Sequence, residues 1–127
     1  MELLIDFPGG ARVDAHYGPM TIKTNQDGTD PAPFALFLSS IGTCAGIYVL
    51  SFCQQRGLPT KGIKIVQRMR SHPMTRLIEQ IDLEIQVPES FPKEYHEALV
   101  KSANLCTVKK HLENPPSFNT FTKVTNN

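Results

Sequence analysis

The sequence predicts an α+β fold in which a β-meander precedes one long, buried helix, and two further antiparallel strands and short helices follow it. Three observations carry that expectation. Strand-like segments broken by turn residues run up to Asn25, an uncharged stretch extends from Phe34 to Cys53, and two alternating apolar stretches are followed by helical spacing. The chain has 127 residues, 40% of them hydrophobic, enough for a core of its own, so a single domain over residues 1–127 is expected.

The first strands are Leu3 to Phe7, Arg12 to His16 and Met20 to Thr24, separated by Pro8-Gly9-Gly10 and Tyr17-Gly18-Pro19. Gly and Pro clusters at that spacing make a β-meander. A polar turn from Asn25 to Asp30 then leads to Pro31-Ala32-Pro33. Proline is tolerated at a helix entrance and Asp30 is a candidate cap, so a helix begins near Pro33.

The uncharged run that follows is about 20 residues long, the length of a membrane span. Ser39, Ser40, Gly42, Thr43, Gly46 and Ser51 make it less apolar than a lipid-facing helix, and the remaining chain is amphipathic in the manner of a soluble protein. A helix apolar all round because it is buried on all sides is the preferred reading. Its small residues between 39 and 46 would let another backbone approach closely, as in the middle of an intertwined dimer. Gln54-Gln55-Arg56, Gly57 as C-cap and Pro59 beyond it end the helix.

Ile63 and Ile65 flank Lys64, and Leu77, Ile81, Leu83, Ile85 and Val87 alternate with mostly polar neighbours, the period of half-buried strands. Two antiparallel strands joined through Ser71 to Thr75 are expected, with Glu79 lying on the apolar face against the pattern. From Lys93 to Ala103, Tyr95, Ala98, Leu99 and Ser102 have helical spacing, and Asn104-Leu105-Cys106 separates that helix from a shorter one at Thr107 to Leu112. Asn114-Pro115-Pro116 stops it, and Phe118, Phe121 and Val124 suit a closing strand.

Composition narrows the function. Lysine and arginine number 13 against 12 acidic residues, and a net charge of +1 gives no general attraction for nucleic acid or anionic lipid, so neither partner is expected. The N-terminus lacks the basic-then-apolar order of a secretory signal, which predicts a cytoplasmic location. Cys44, Cys53 and Cys106 are far apart with no Cys-x-x-Cys, so neither a zinc site nor a secreted disulfide framework is expected, and no cofactor is implied. His16, His72 and His96 stand in separate elements without ligand spacing and read as surface residues.

Free thiols are what remains. Cys44 sits in the middle of the uncharged helix with Ser40 and Tyr48 one turn away on either side; it is either a small buried hydrophobe or a reactive thiol. Cys53 lies about 13 Å further along and on the opposite side, so it cannot pair with Cys44 and reads as packing. Cys106 begins a short helix, where unpaired N–H groups and the nearby Lys109 and Lys110 favour a thiolate; the alternative is a structural role. His111 is about 140° round the helix from Cys106 and reads as an exposed polar residue, not its base.

With these elements in place, the chain resembles the OsmC/Ohr superfamily of osmotically inducible and organic hydroperoxide resistance proteins. The segment Pro33-Phe-Ala-Leu-Phe-Leu-Ser-Ser-Ile-Gly-Thr-Cys44 is similar to the family's proline-led helix with small residues before its cysteine. Leu105-Cys106-Thr-Val-Lys-Lys-His-Leu112 is similar to its second cysteine element. The resemblance implies an α+β fold with antiparallel β-meander and sheet wrapped around the long central helix, an intertwined homodimer and a thiol peroxidase. In that chemistry a Cys44 thiolate attacks an organic hydroperoxide, becomes a sulfenic acid, is resolved by Cys106 as a disulfide, and is restored by a dithiol reductant.

The sequence also departs from the family. Peroxidatic members stabilise the thiolate with an arginine from the N-terminal strands, held by a glutamate near the start of the cysteine helix. Phe34 or Ala35 occupies the place of that glutamate. Arg12 is the candidate guanidinium, or it matches a neighbouring non-catalytic arginine of the family. Glu79 either substitutes for the missing carboxylate or simply reaches water at the sheet edge, the preferred reading. Two functions follow as expectations: a peroxidase acting on organic hydroperoxides, or an OsmC-fold protein with weak or no peroxidase activity that binds a small apolar ligand at the dimer interface.

Overall fold

A computed structural model describes residues 1–126. Its elements follow the order β1 (Leu4–Gly9), β2 (Arg12–Tyr17), β3 (Met20–Asn25), α1 (Pro33–Gln55), β4 (Lys64–Ser71), β5 (Ile78–Gln86), a 3-10 turn at Lys93–Tyr95, α2 (His96–Ala103) and α3 (Thr107–Glu113). They fall into two compact units, one of Met1–Thr43 with Ile65–Glu84, the other of Cys44–Lys64 with the chain from Ile85 onward.

In the first unit the meander forms a three-stranded antiparallel sheet in the order β1-β2-β3. Arg12 lies opposite Asn25 and Tyr17 opposite Met20, so the β2–β3 register is unbroken from one end to the other. β1 slips relative to β2 between Asp6 and Gly9, where Gly9 and Gly10 both take positive φ (140° and 58°) that other residues rarely adopt. β4 and β5 form a separate two-stranded sheet. In the turn between them His72 Nδ1 accepts hydrogen bonds from the backbone N–H of Met74 and of Thr75.

The entrance to α1 differs in detail from the sequence reading. Pro33 is the first helical residue, so Ala32 and not Asp30 precedes the helix. The exit matches: Gly57 has φ +65° and the Leu58 N–H returns to the Cys53 carbonyl at 2.9 Å. Burial along α1 is confined to one stripe, Ile41, Ala45, Val49, Phe52 and Cys53, whereas Phe34, Phe37, Ile47 and Leu50 are exposed. The helix is therefore not buried on all sides within one chain, although it is long and apolar enough to cross a membrane by length and composition; 28% of its most apolar window is buried.

Gly42 has a specific role on α1. A Cβ there would stand 2.5 Å from Gln67 Oε1, whose amide nitrogen donates to the Leu38 carbonyl at 3.0 Å. Gly42→Ala gains about 0.5–1 kcal/mol of helix propensity and loses a hydrogen bond of similar worth, so a near-neutral change is expected. In a Gln67→Ala background the same substitution should stabilise by about 0.5–1 kcal/mol, which urea denaturation of the four proteins would measure.

In the second unit the end of α1 meets the segment before α2. Phe52 and Tyr95 pack edge to face at 5.9 Å, and the Arg56 guanidinium lies 3.7 Å over the Phe52 ring while donating to the Phe52 carbonyl. Phe91, Leu99, Ala103 and Cys106 complete the core. The closing strand expected around Phe118 to Val124 is not formed. Phe118, Phe121 and Val124 are 89%, 77% and 93% exposed, and their spacing of three cannot put all of them on one side of a strand of period two.

Candidate thiol site

Cys44 projects from the middle of α1, and Cys106 is the residue immediately before α3. α2 ends at Ala103, and Asn104 closes it with its N–H on the Val100 carbonyl. The chain then turns so that the Cys106 N–H reaches the Ala103 carbonyl at 3.3 Å and its own carbonyl accepts from Lys110 at 3.1 Å. That turn carries Cys106 into the interior, at 2% exposure, facing Cys44, which stays half-buried. Both thiols are free, as is Cys53.

The two sulfurs interact directly. Burial pushes the Cys44 thiol up, but the backbone N–H of Val108, the S–H of Cys106 and the backbone N–H of Thr107 all favour its thiolate and outweigh burial, so its pKa lies below the ordinary thiol value. Cys106 moves the other way. Burial raises it, and so does donating its proton to Cys44; the N–H groups of Lys109 and Val108 oppose this without prevailing. Cys44 is thus the more readily ionised thiol of the pair and Cys106 the less readily ionised. Burial also raises Cys53, against a weaker pull from Arg56.

This reverses one expectation. The start of α3 was expected to favour a Cys106 thiolate, yet Cys106 makes no side-chain capping bond, and burial and its hydrogen bond to Cys44 raise its pKa above the ordinary thiol value. The N–H groups of Thr107 and Val108 at that helix start also favour the Cys44 thiolate, and there they prevail over burial. Lys109 acts on Cys106 through its backbone N–H, while its ammonium is held by Asn104 Oδ1 at 3.0 Å. His111 is exposed and its Nδ1 binds the Thr107 carbonyl at 2.8 Å, as fits a surface residue.

Next to the thiols, the Tyr48 hydroxyl, one turn beyond Cys44, is hydrogen-bonded to the Thr107 hydroxyl at 3.1 Å. The sequence placed Tyr48 beside Cys44 but gave no sign of its partner, since the two residues belong to distant segments.

Arg12 belongs to the other unit, on β2, where its guanidinium donates to Asp14 Oδ2. Asp14 was not singled out from the sequence. The Arg12-x-Asp14 spacing, two residues apart on one face of a strand, was the available signal. The Asp14 side chain is 4% exposed against 37% for Arg12, and neither Asp14 Oδ1 nor Arg12 Nε has a partner among the described residues. Truncating the arginine would strand a buried carboxylate, whereas truncating the aspartate leaves a guanidinium that reaches water. Arg12→Ala is therefore expected to cost about 2–4 kcal/mol and Asp14→Ala about 1–2 kcal/mol in chemical denaturation.

Glu79 takes the edge position. It is 39% exposed at its side chain and pairs with Arg70 at 3.4 Å, an ion pair of little energetic weight. The first turn of α1 carries no acidic residue, and Phe34 there stacks on Phe37 at 5.7 Å. Among the described residues no three His, Cys, Asp or Glu side chains are grouped to hold a metal ion.

The OsmC-like protein family model matches residues 26–121, which contain α1, Cys44, Cys106 and α3. The chain belongs to the OsmC-like family. Solved structures agree at the level of the fold. An OsmC-like protein of Mycoplasma pneumoniae superimposes with a TM-score of 0.64 at 11% identity, covering 90% of this chain and 87% of its own. The organic hydroperoxide resistance protein OhrB of Bacillus subtilis gives 0.52 at 13% identity, covering 91% and 93%. A candidate osmotic stress and detoxification protein of Psychrobacter arcticus 273-4 gives 0.68 at 15% identity, covering 85% of each chain. No curated protein matches the sequence significantly. The chain is thus an OsmC-like α+β protein, and the solved structures share its fold.

Proposed function

We propose that this OsmC-like protein, acting as a single domain, reduces organic hydroperoxides through Cys44 and Cys106. The observation that carries the reading is the direct pairing of the two thiols with their ionisations pushed apart, Cys44 down and Cys106 up. The Cys44 thiolate attacks the distal peroxide oxygen; an S–O bond forms, the O–O bond breaks, and the leaving alkoxide takes a proton to become the alcohol. The Cys106 S–H, already directed at Cys44, is suited to supply that proton, which leaves Cys106 as the nucleophile for the next step. It attacks the sulfenic sulfur, the S–S bond forms, and hydroxide departs as water after taking a proton. A dithiol reductant then opens the disulfide by two exchanges and restores both thiols.

The family resemblance implies a thiolate-favouring guanidinium for Arg12, whose carboxylate partner on β2 is Asp14. Three free cysteines suit a reducing compartment, the cytoplasm. A second copy of the chain is the proposed cover for the exposed apolar side of α1, with Phe34, Phe37, Ile47 and Leu50, because a free stripe of that kind is costly in water. Light scattering is expected to give twice the chain mass of 14.2 kDa.

The second reading, a binder of a small apolar ligand with little peroxidase activity, is favoured by the Phe34–Phe37 pair where peroxidatic members carry a carboxylate. Turnover separates the two. With dithiothreitol as donor, the protein is expected to consume many equivalents of cumene hydroperoxide. Substoichiometric consumption with the thiols still reduced would instead support the binding reading.

A further inference from the structure

The thiol pair needs α3 held in place, and α3 has little of its own to hold it. It is seven residues long, too short to persist alone, and none of its residues is buried. The Cys106 side chain contributes no capping bond to it. Two kinds of contact tie its first turn to α1: the N–H groups of Thr107 and Val108 directed at Cys44, and the Tyr48–Thr107 hydroxyl pair at 3.1 Å. Tyr48 is four residues after Cys44 on the same face of α1, and Thr107 is the residue after Cys106. The hydroxyl bond therefore joins the two elements beside the two sulfurs.

We propose that the hydrogen bond between Tyr48 and Thr107 positions Cys106 for attack on an oxidised Cys44, which makes both residues positioning residues for the resolving step. The proposal rests on the thiol-pair reading above, and its consequence is kinetic. Without the bond the first turn of α3 samples more orientations, and Cys106 meets the Cys44 sulfur less often. A hydroxyl pair at a partly exposed site is a single modest interaction, so closure should slow by about 3- to 10-fold.

The test avoids peroxide. Excess 5,5′-dithiobis(2-nitrobenzoate) added to the reduced protein reacts first with the Cys44 thiolate, forming a mixed disulfide and releasing one thionitrobenzoate. Cys106, losing its proton to solvent, then attacks the Cys44 sulfur, and the second thionitrobenzoate leaves as the protein disulfide forms. Stopped-flow absorbance separates the two phases. Tyr48→Phe and Thr107→Val are expected to slow the second phase by about 3- to 10-fold while leaving the first unchanged. Thr107→Ser, which keeps the hydroxyl, should restore the native rate, and the double variant should be no slower than either single one, because one bond is lost in each case. Equal second-phase rates in all these proteins would overturn the proposal. So would slowing of the first phase in step with a fall in thermal midpoint, which marks general destabilisation. If the native protein releases only one thionitrobenzoate, the thiol-pair reading itself fails and the positioning role goes with it.

Discussion

Cys44→Ser is expected to lose dithiol-dependent consumption of cumene hydroperoxide by more than about 100-fold, because a serine hydroxyl stays protonated at neutral pH and is a poor nucleophile toward an O–O bond. Cys106→Ser separates the two halves of the cycle. It retains the thiolate on Cys44 and so the first oxidation, but the sulfenic acid has no neighbour to close on. Turnover then depends on direct attack by the external dithiol, and excess peroxide carries Cys44 on to the irreversible sulfinic acid. Cys53 provides the control. It is fully buried at 0% exposure, burial raises its pKa, and Cys53→Ala should leave peroxide consumption within about twofold while costing some stability through the small cavity it leaves. Initial rates for the four proteins under one set of conditions check all three expectations.

The second large effect is on pH dependence. Only the thiolate is alkylated, so the rate of Cys44 modification by iodoacetamide follows its ionisation. Because the N–H groups of Val108 and Thr107 and the Cys106 S–H outweigh burial, the midpoint for Cys44 is expected below the ordinary thiol value. Cys106→Ala removes the S–H donor but leaves the N–H groups, so the midpoint should move up. Each unit of that rise lowers the thiolate fraction at neutral pH by about tenfold. Cys106 has the opposite sign. Its burial and its bond to Cys44 delay ionisation, so in the native protein it is modified after Cys44 and at higher pH. Peptide mapping of the alkylated protein at a series of pH values gives both profiles. A Cys44 midpoint at or above the ordinary value, or one unchanged by Cys106→Ala, would contradict the described electrostatics.

What the sequence made legible was whatever rests on local chemistry. Gly and Pro clusters marked the meander turns within two residues of the strands found, since positive φ at Gly9, Gly10 and Gly18 is a local demand. The end of α1 at Gly57 and the break at Asn104 to Cys106 were legible for the same reason. The tail was not. Phe118, Phe121 and Val124 are apolar, but apolarity without a two-residue period does not make a strand. Within one chain α1 is covered along one stripe only, because the absence of charge says that a helix avoids water, not that its own chain is what covers it. The candidate site divides along the same line. Both cysteines could be named from their elements, while the direction of their ionisation could not, because it depends on which sulfur the N–H groups of Thr107 and Val108 meet. Asp14 escaped notice since an acidic residue on a strand is commonly solvated, and only the fold shows that it is buried beside Arg12.

The central claim is that Cys44 is the attacking thiolate and Cys106 its resolving partner. Intact-mass and peptide mass spectrometry of the reduced protein after one equivalent of cumene hydroperoxide tests it most directly, with Cys44→Ser and Cys106→Ser alongside. The expected result is rapid loss of two hydrogens through a Cys44–Cys106 disulfide in the native protein, a dimedone-trapped sulfenic acid on Cys44 in Cys106→Ser, and no oxidation in Cys44→Ser. Thiols that remain reduced in the native protein, or a first oxidation found on Cys106 or Cys53, would contradict it.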